Sequence, residues 1–275
     1  MANHITSDHD LIEVVSSAAE EDLSVLADFI TDNNNGRIAL NSVIRGQLDT
    51  FKRNGTLHKN SDLIIKEIQE FGGNSMANFY RRLFPGGNGI PYREIVEDVA
   101  DHMKVSYEKS ESIEHLETKI LLAVAIKSME KMSRDEQQDF MSKVAGVKLT
   151  GMGPAAIAAL QAAVLAGGFG SYVLAVTVAN AVAKQLVGRG LAIAGNAALA
   201  RGVAVFVGPI GWAITAIWAA FDLASPAYRV TVPCVIQIAY MRQKAKENQL
   251  PRCKTCKEPL FTDQKFCSKC GSKVE

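Results

Sequence analysis

Cys253, Cys256, Cys267 and Cys270 hold the clearest chemistry in this 275-residue chain. They form two Cys-x-x-Cys pairs separated by ten residues. Four thiolates in that pattern can close a tetrahedral Zn²⁺ site, with each pair supplying one turn. Gly271, directly after Cys270, allows the backbone such a turn needs. Lys254, Lys257, Lys265 and Lys269 lie among the cysteines and would offset the negative charge of a tetrathiolate centre. A redox dithiol pair is the competing chemistry. Ligation by four cysteines leaves no open coordination position, so the expected Zn²⁺ is structural and not catalytic.

Charge around this module suggests what it could meet. From Arg242 to Glu275 nine Lys and Arg face four acids. That surplus suits nucleic acid, anionic lipid headgroups or an acidic partner, and equally a solvated surface that keeps a small module soluble. The opening of the chain holds eight carboxylates and no Lys or Arg through Asn35, and could be its intramolecular partner. An acidic opening is also the reverse of a secretory signal, and paired cysteines at metal spacing suit a reducing compartment, so a cytoplasmic location is expected. Over the whole chain 30 Lys and Arg balance 29 Asp and Glu, which excludes a bulk nucleic-acid-binding field. With 48% hydrophobic and 21% charged residues, a disordered chain is excluded as well.

Other candidate residues read more plainly. Phe71-Gly72-Gly73 lacks the lysine of a phosphate loop, and Gly86-Gly87-Asn88-Gly89 lacks a preceding strand; both read as turns between helices. His102 and His115 are isolated on helical sequence, and Cys234 reads as a small buried hydrophobe. No Ser-His-Asp, Cys-His or paired-carboxylate set can be named from spacing, so a non-enzymatic protein is expected.

The elements that carry these residues are helical. Leu23, Leu26, Ala27 and Ile30 recur at helix spacing before the Asp32-to-Gly36 run; Leu63, Ile64 and Ile68 mark a second helix, and Ile95, Val99 and Met103 a third after Pro91. A long helix is expected from Ile113 to Met132, and Ser133 with Glu136 forms a capping box opening another. Residues 149–221 change character: from Thr150 to Phe221 the only charges are Lys184, Arg189 and Arg201. Ala155 to Ala183 is uncharged for 29 residues and Gly202 to Phe221 for 20, both beyond the roughly 18 residues of a membrane-span candidate. Ten strongly apolar residues in the first run are worth roughly −3 to −6 kcal/mol on an insertion scale, a gain its Gln, Asn, Ser and glycines largely offset. The segment therefore reads as a helical hairpin, broken around Gly188-Arg189-Gly190, that either inserts in a bilayer or packs as a core pair. Trp212 and Trp218 would suit an interface. Pro233 suits a first helical turn, and that last helix exits through Arg242, Lys244 and Lys246.

Phe71 to Asn78 (FGGNSMAN), Tyr92 to Val99 (YREIVEDV) and Ala227 to Pro233 (AYRVTVP) with Gln237 to Ala239 form a set of stretches, and the Asp10-Leu11 and Glu20-to-Leu23 segments fit with them. Together they resemble the YaaW-like family of bacterial and phage proteins, which is grouped with ubiquinol–cytochrome c chaperones. The C-terminal segment Phe266-Cys267-Ser268-Lys269-Cys270-Gly271 is similar to the short zinc ribbons of many bacterial proteins. The family resemblance implies a helical fold and a client polypeptide held by the N-terminal helices; its phage-borne members imply a role in phage–host conflict. The expectation is an all-α protein: an amphipathic helical bundle (1–148), a Gly/Ala-rich hydrophobic helical hairpin with a closing amphipathic helix (149–250), and a four-cysteine zinc ribbon (251–275). It would act at the inner membrane through the hairpin. The alternatives are a soluble chaperone or assembly factor for hydrophobic clients, or ribosome or nucleic-acid docking through the basic ribbon, with oligomerisation open in each case.

Overall fold

An uncharged helical segment that is apolar on most sides has to be surrounded by protein or by lipid, and here protein surrounds it. In the computed structural model, which describes residues 8–31, 42–70, 89–146, 153–191, 202–221, 228–260, 265–267 and 270–274 (without the side chains of 217–221), every residue from Val173 to Ala183 is buried. These residues belong to α9 (Phe169–Val187), the axis of the fold. Around it stand α2 (Glu20–Ile30), α6 (Ile113–Met129), α7 (Arg134–Ala145), α8 (Pro154–Leu165), α10 (Val207–Phe221) and α11 (Tyr228–Gln249). Outside these lie α1 (His9–Ser16), α3 (Ser42–Asn54), α4 (61–70) and α5 (Tyr92–His102). The described residues contain no strand beyond two isolated bridges near the C-terminus. The protein is all-α.

Local chemistry sets the helix ends. Ser133 Oγ accepts the Glu136 N–H while the Glu136 carboxylate accepts the Ser133 N–H, which is the expected capping box. Ser112 Oγ caps α6 with a single bond, accepting the N–H of His115. Three acids, Glu20, Glu21 and Asp22, occupy the first turn of α2 and complement its dipole. The helix after Pro91 begins one residue later, as expected, and α9 ends where the Gly188-Arg189-Gly190 break was placed.

Two expectations need correction. The 29-residue uncharged run is not one helix: Gly167 and Gly168, both at φ +82°, break it into α8 and α9, a backbone that costs glycine nothing and most residues about 1 kcal/mol or more. Only α9, at 19 residues with a mean hydropathy of 1.2, is long and apolar enough to cross a membrane among the described residues. Pro233, expected in a first turn, lies inside α11. A proline there removes one helical hydrogen bond, but Val232, Cys234, Val235 and Ile236 around it are buried, and their packing holds the helix through the position.

Side chains from Leu11 to Met241 fill a single continuous core, drawing on the chain both before and after residue 148. Cys253, Leu260 and Cys267 form a second, separate small cluster. Buried charges tie the helices together around the main core. Glu117 on α6, 1% exposed, accepts the Tyr92 hydroxyl (2.8 Å) and both Nε and Nη2 of Arg242 on α11 (2.8 and 3.2 Å). Asp22 on α2 pairs with Lys244 at 2.6 Å. Asp28 holds Lys52 of α3 on one oxygen and Arg189, just past α9, on the other at 2.7 Å. Burial raises the Glu117 carboxyl above its ordinary range, with Arg242 and Tyr92 opposing; at Arg242, burial is overcome by Glu117, which raises the guanidinium further.

Candidate metal centre

The four cysteine sulfurs converge beyond the end of α11. All four Sγ atoms lie within 4.8 Å of one another, with Cys253 to Cys270 at 3.6 Å and Cys256 to Cys267 at 3.5 Å. A tetrahedron of thiolates about 2.3 Å from a zinc ion has edges of about 3.8 Å, so sulfurs this close could hold a metal ion. Cys253 and Cys267 are buried, Cys256 is half-buried and Cys270 exposed. The Ser272 hydroxyl and backbone amide draw the Cys270 thiol down to about 6.

The backbone that aims these sulfurs is a repeat. Cys253 N–H donates to the Glu258 carbonyl (2.8 Å), and Lys257 N–H donates back to the Cys253 carbonyl (2.9 Å). In the second unit, Cys267 N–H donates to the Ser272 carbonyl and Gly271 N–H to the Cys267 carbonyl at the same two distances. The bridges Arg252–Pro259 and Phe266–Lys273 are equivalent, and so are the hydrogen bonds Leu260 to Pro251 and Val274 to Lys265. Each unit needs a left-handed residue after its second cysteine. Gly271 (φ +71°) supplies it at no cost, whereas Lys257 (φ +60°) supplies it under strain. This repeat was legible in Pro251–Leu260 against Lys265–Val274, where the cysteines recur at the same two places.

One of the two units is fastened to the bundle. Arg252 Nη1 donates to Glu247 Oε1 at 2.8 Å, and its Nη2 reaches the other oxygen at 3.3 Å, joining the module to the last turn of α11. Leu250 N–H closes the same turn on the Glu247 carbonyl. The helix leading into the module spends its basic residues on the bundle: Arg242 on Glu117 and Asp10, Lys244 on Asp22, Lys246 on Glu114. The acidic opening thus neutralises part of the basic C-terminal stretch, through Asp10 and Asp22.

The remaining candidates make contacts within the fold. His102 stacks on Tyr228 at 3.8 Å between ring centroids, and His115 lies 3.9 Å from Glu111. Cys234 is buried at 3% exposure. Lys184 donates to the Gly188 carbonyl at the end of its own helix. Trp212 lies under Lys131 and Lys127, 4.8 and 5.8 Å from the ring centroid, an arrangement of cation and aromatic face within the fold. Phe71 to Asn78, the Gly86-Gly87-Asn88 run, Arg201, Lys269 and the Trp218 side chain lie outside the described residues.

Sequence reasoning missed the outward face of α8. That helix is apolar throughout apart from Gln161, yet it buries only Ala156, Leu160 and Val164. Ala155, Ala158 and Ala162 face solvent, Phe169 follows at 44% exposure, and Val205 is 52% exposed. Residues 202–206 and the start of α9 both pack on the C-terminal half of α7, where Phe206 meets Phe140 edge-on and Gly170 abuts the Val144 carbonyl.

A bundle of helices on one apolar core, closed by a four-cysteine module, is what fold and site define. Residues 57–236 match the family described as ubiquinol-cytochrome C chaperone, and the chain belongs to that family, which is the YaaW-like group its motifs resemble. A UPF0174 protein of Helicobacter pylori (strain J99) is 36% identical over 242 residues, covering 87% of this chain and 93% of its own. The UPF0174 protein YaaW of Escherichia coli K12 is 29% identical over 251 residues, covering 89% and 98%. The family match ends before the four-cysteine module begins. No solved structure matches.

Proposed function

We propose that this protein is a non-enzymatic chaperone or assembly factor that holds an apolar client polypeptide, and that its four C-terminal cysteines bind one structural Zn²⁺. The observation that carries the client reading is α8: an apolar helix seated by one ridge, its other sides uncharged and exposed, with Phe169 and Val205 adding apolar surface. Exposed apolar surface of this kind marks a place where another apolar chain can dock. The description of the family as a chaperone family supports the same reading. In it, residues 1–148 and 149–250 form the holding body and 251–275 a docking module.

Four sulfur ligands at tetrahedral spacing support zinc, a soft-ligand, closed site with no catalytic position. The burial of α9 favours a core role over constitutive insertion in the inner membrane, since inserting it would empty the centre of the bundle. A phage–host role draws on no feature of the fold.

The test is suppression of aggregation of an unfolded apolar client by the full-length protein, compared with Ala158→Glu/Ala162→Glu. Both alanines face solvent, so the variant should keep the native helical signal and thermal midpoint. Loss of client protection in a folded variant supports the reading. Undiminished protection, or recovery of the native protein in carbonate-washed membranes, overturns it.

A further inference from the structure

The two halves of the four-cysteine module share the same described hydrogen bonds and bridges, and the first is fastened to the bundle. In the first unit, Arg252 occupies the position before the first cysteine and is held by Glu247 of α11. In the second unit the equivalent position is Phe266, 60% exposed, one of the few large apolar side chains in solvent among the described residues. Its partner across the antiparallel bridge is Lys273, so the two side chains emerge side by side on one face.

We propose that this second face, Phe266 with Lys273 beside it, binds single-stranded nucleic acid, with a base stacked on the phenyl ring and the lysine on a flanking phosphate. An outward aromatic ring bordered by an ammonium group offers the two contacts such a strand makes, a π-face for the base and positive charge for the backbone. The other partners of a basic face fit less well. An acidic peptide would need a groove for its side chains, and the described part of the module presents one ring on a hairpin. A bilayer would need more apolar area than one phenyl group gives. The charge is local: Arg252, Lys254, Lys257, Lys265, Lys269 and Lys273 exceed Glu258, Asp263 and Glu275 by three, and four thiolates around a divalent ion bring the module to a net charge of +1. Binding is therefore weak, carried by stacking and one or two phosphates, with a salt slope of roughly −0.7 to −1.4.

The inference goes beyond client binding but rests on the metal-closed module, so zinc content is measured on every sample. The full-length, zinc-loaded protein is titrated into a labelled oligothymidylate of about 15 nucleotides, and anisotropy is followed at several salt concentrations. Phe266→Ala should weaken binding about tenfold or more while zinc stays at one per chain, and Phe266→Trp should restore it. Lys273→Glu should weaken it too and lower the salt slope by about 0.7. No binding at low salt, or equal binding by zinc-loaded Phe266→Ala, overturns the proposal. So does binding of an acidic peptide or anionic vesicles through Phe266 in place of the oligonucleotide. A chain that holds no zinc when native overturns the metal reading instead, and the α8 client assay is unaffected by either result.

Discussion

Replacing Arg242 with Met removes the guanidinium from a carboxylate that is 1% exposed and leaves the methylene stem of the side chain nearly intact. Glu117 then keeps the Tyr92 hydroxyl at 2.8 Å but loses the guanidinium hydrogen bonds at 2.8 and 3.2 Å. Stranding one member of a buried pair typically costs about 3–5 kcal/mol. The charged part of that cost has a ceiling, because Glu117 can take up a proton. Its ordinary pKa is 4.5, so neutralising it costs at most about 4 kcal/mol at pH 7.5 and about 0.7 kcal/mol at pH 5. The folded-state pKa is already raised by burial in the native protein and rises further without Arg242. A carboxyl raised in this way favours folding most below its unfolded pKa, and stability is lost as pH climbs from there through the folded value. Urea unfolding of Arg242→Met should therefore show a loss near 4 kcal/mol at pH 7.5 and roughly half that or less at pH 5. Adding Glu117→Gln should make the double variant more stable than Arg242→Met at pH 7.5, by about 2 kcal/mol, since no charge is then stranded. An equal loss at both pH values, or a double variant no better than the single one, would refute the idea that a buried carboxylate is what Arg242 compensates.

Two further outcomes test the module. Chelating zinc from the full-length protein should remove one ion per chain yet leave the helical circular dichroism and its thermal midpoint close to native, because the cluster around Cys253, Leu260 and Cys267 is separate from the main core; cooperative loss of helix would show that the two fold as one. Lys257→Gly should remove left-handed strain of about 1 kcal/mol and tighten zinc about fivefold in competition with a chromophoric chelator, whereas unchanged or weaker affinity would mean that the Lys257 backbone is unstrained.

Much of the site was legible because it is local. Two Cys-x-x-Cys pairs bring their own turns with them, and backbone hydrogen bonds within each short unit aim the sulfurs. The capping box at Ser133 and the helix after Pro91 were legible for the same reason, since the residues that decide them are neighbours in the chain. Lys257 in the place of a second glycine, and the Arg252–Glu247 fastening, were less visible: one shows only when the two units are superposed, the other only when the module has a fixed orientation on α11.

By itself the sequence determined that this chain is helical, that residues 149–221 are nearly uncharged, and that four cysteines can close a metal site, because periodicity, composition and ligand spacing are properties of short stretches. Whether that uncharged region faces lipid or protein was a different kind of question. Val173 to Ala183 have the same side chains in either setting, and the choice is made by what α2, α6, α10 and α11 place around them. The same holds for the charges: Glu117 and Arg242 are 125 residues apart, and no local pattern says that one will be buried against the other. Tertiary structure decided both, because burial and desolvation belong to the packed chain and not to any segment of it.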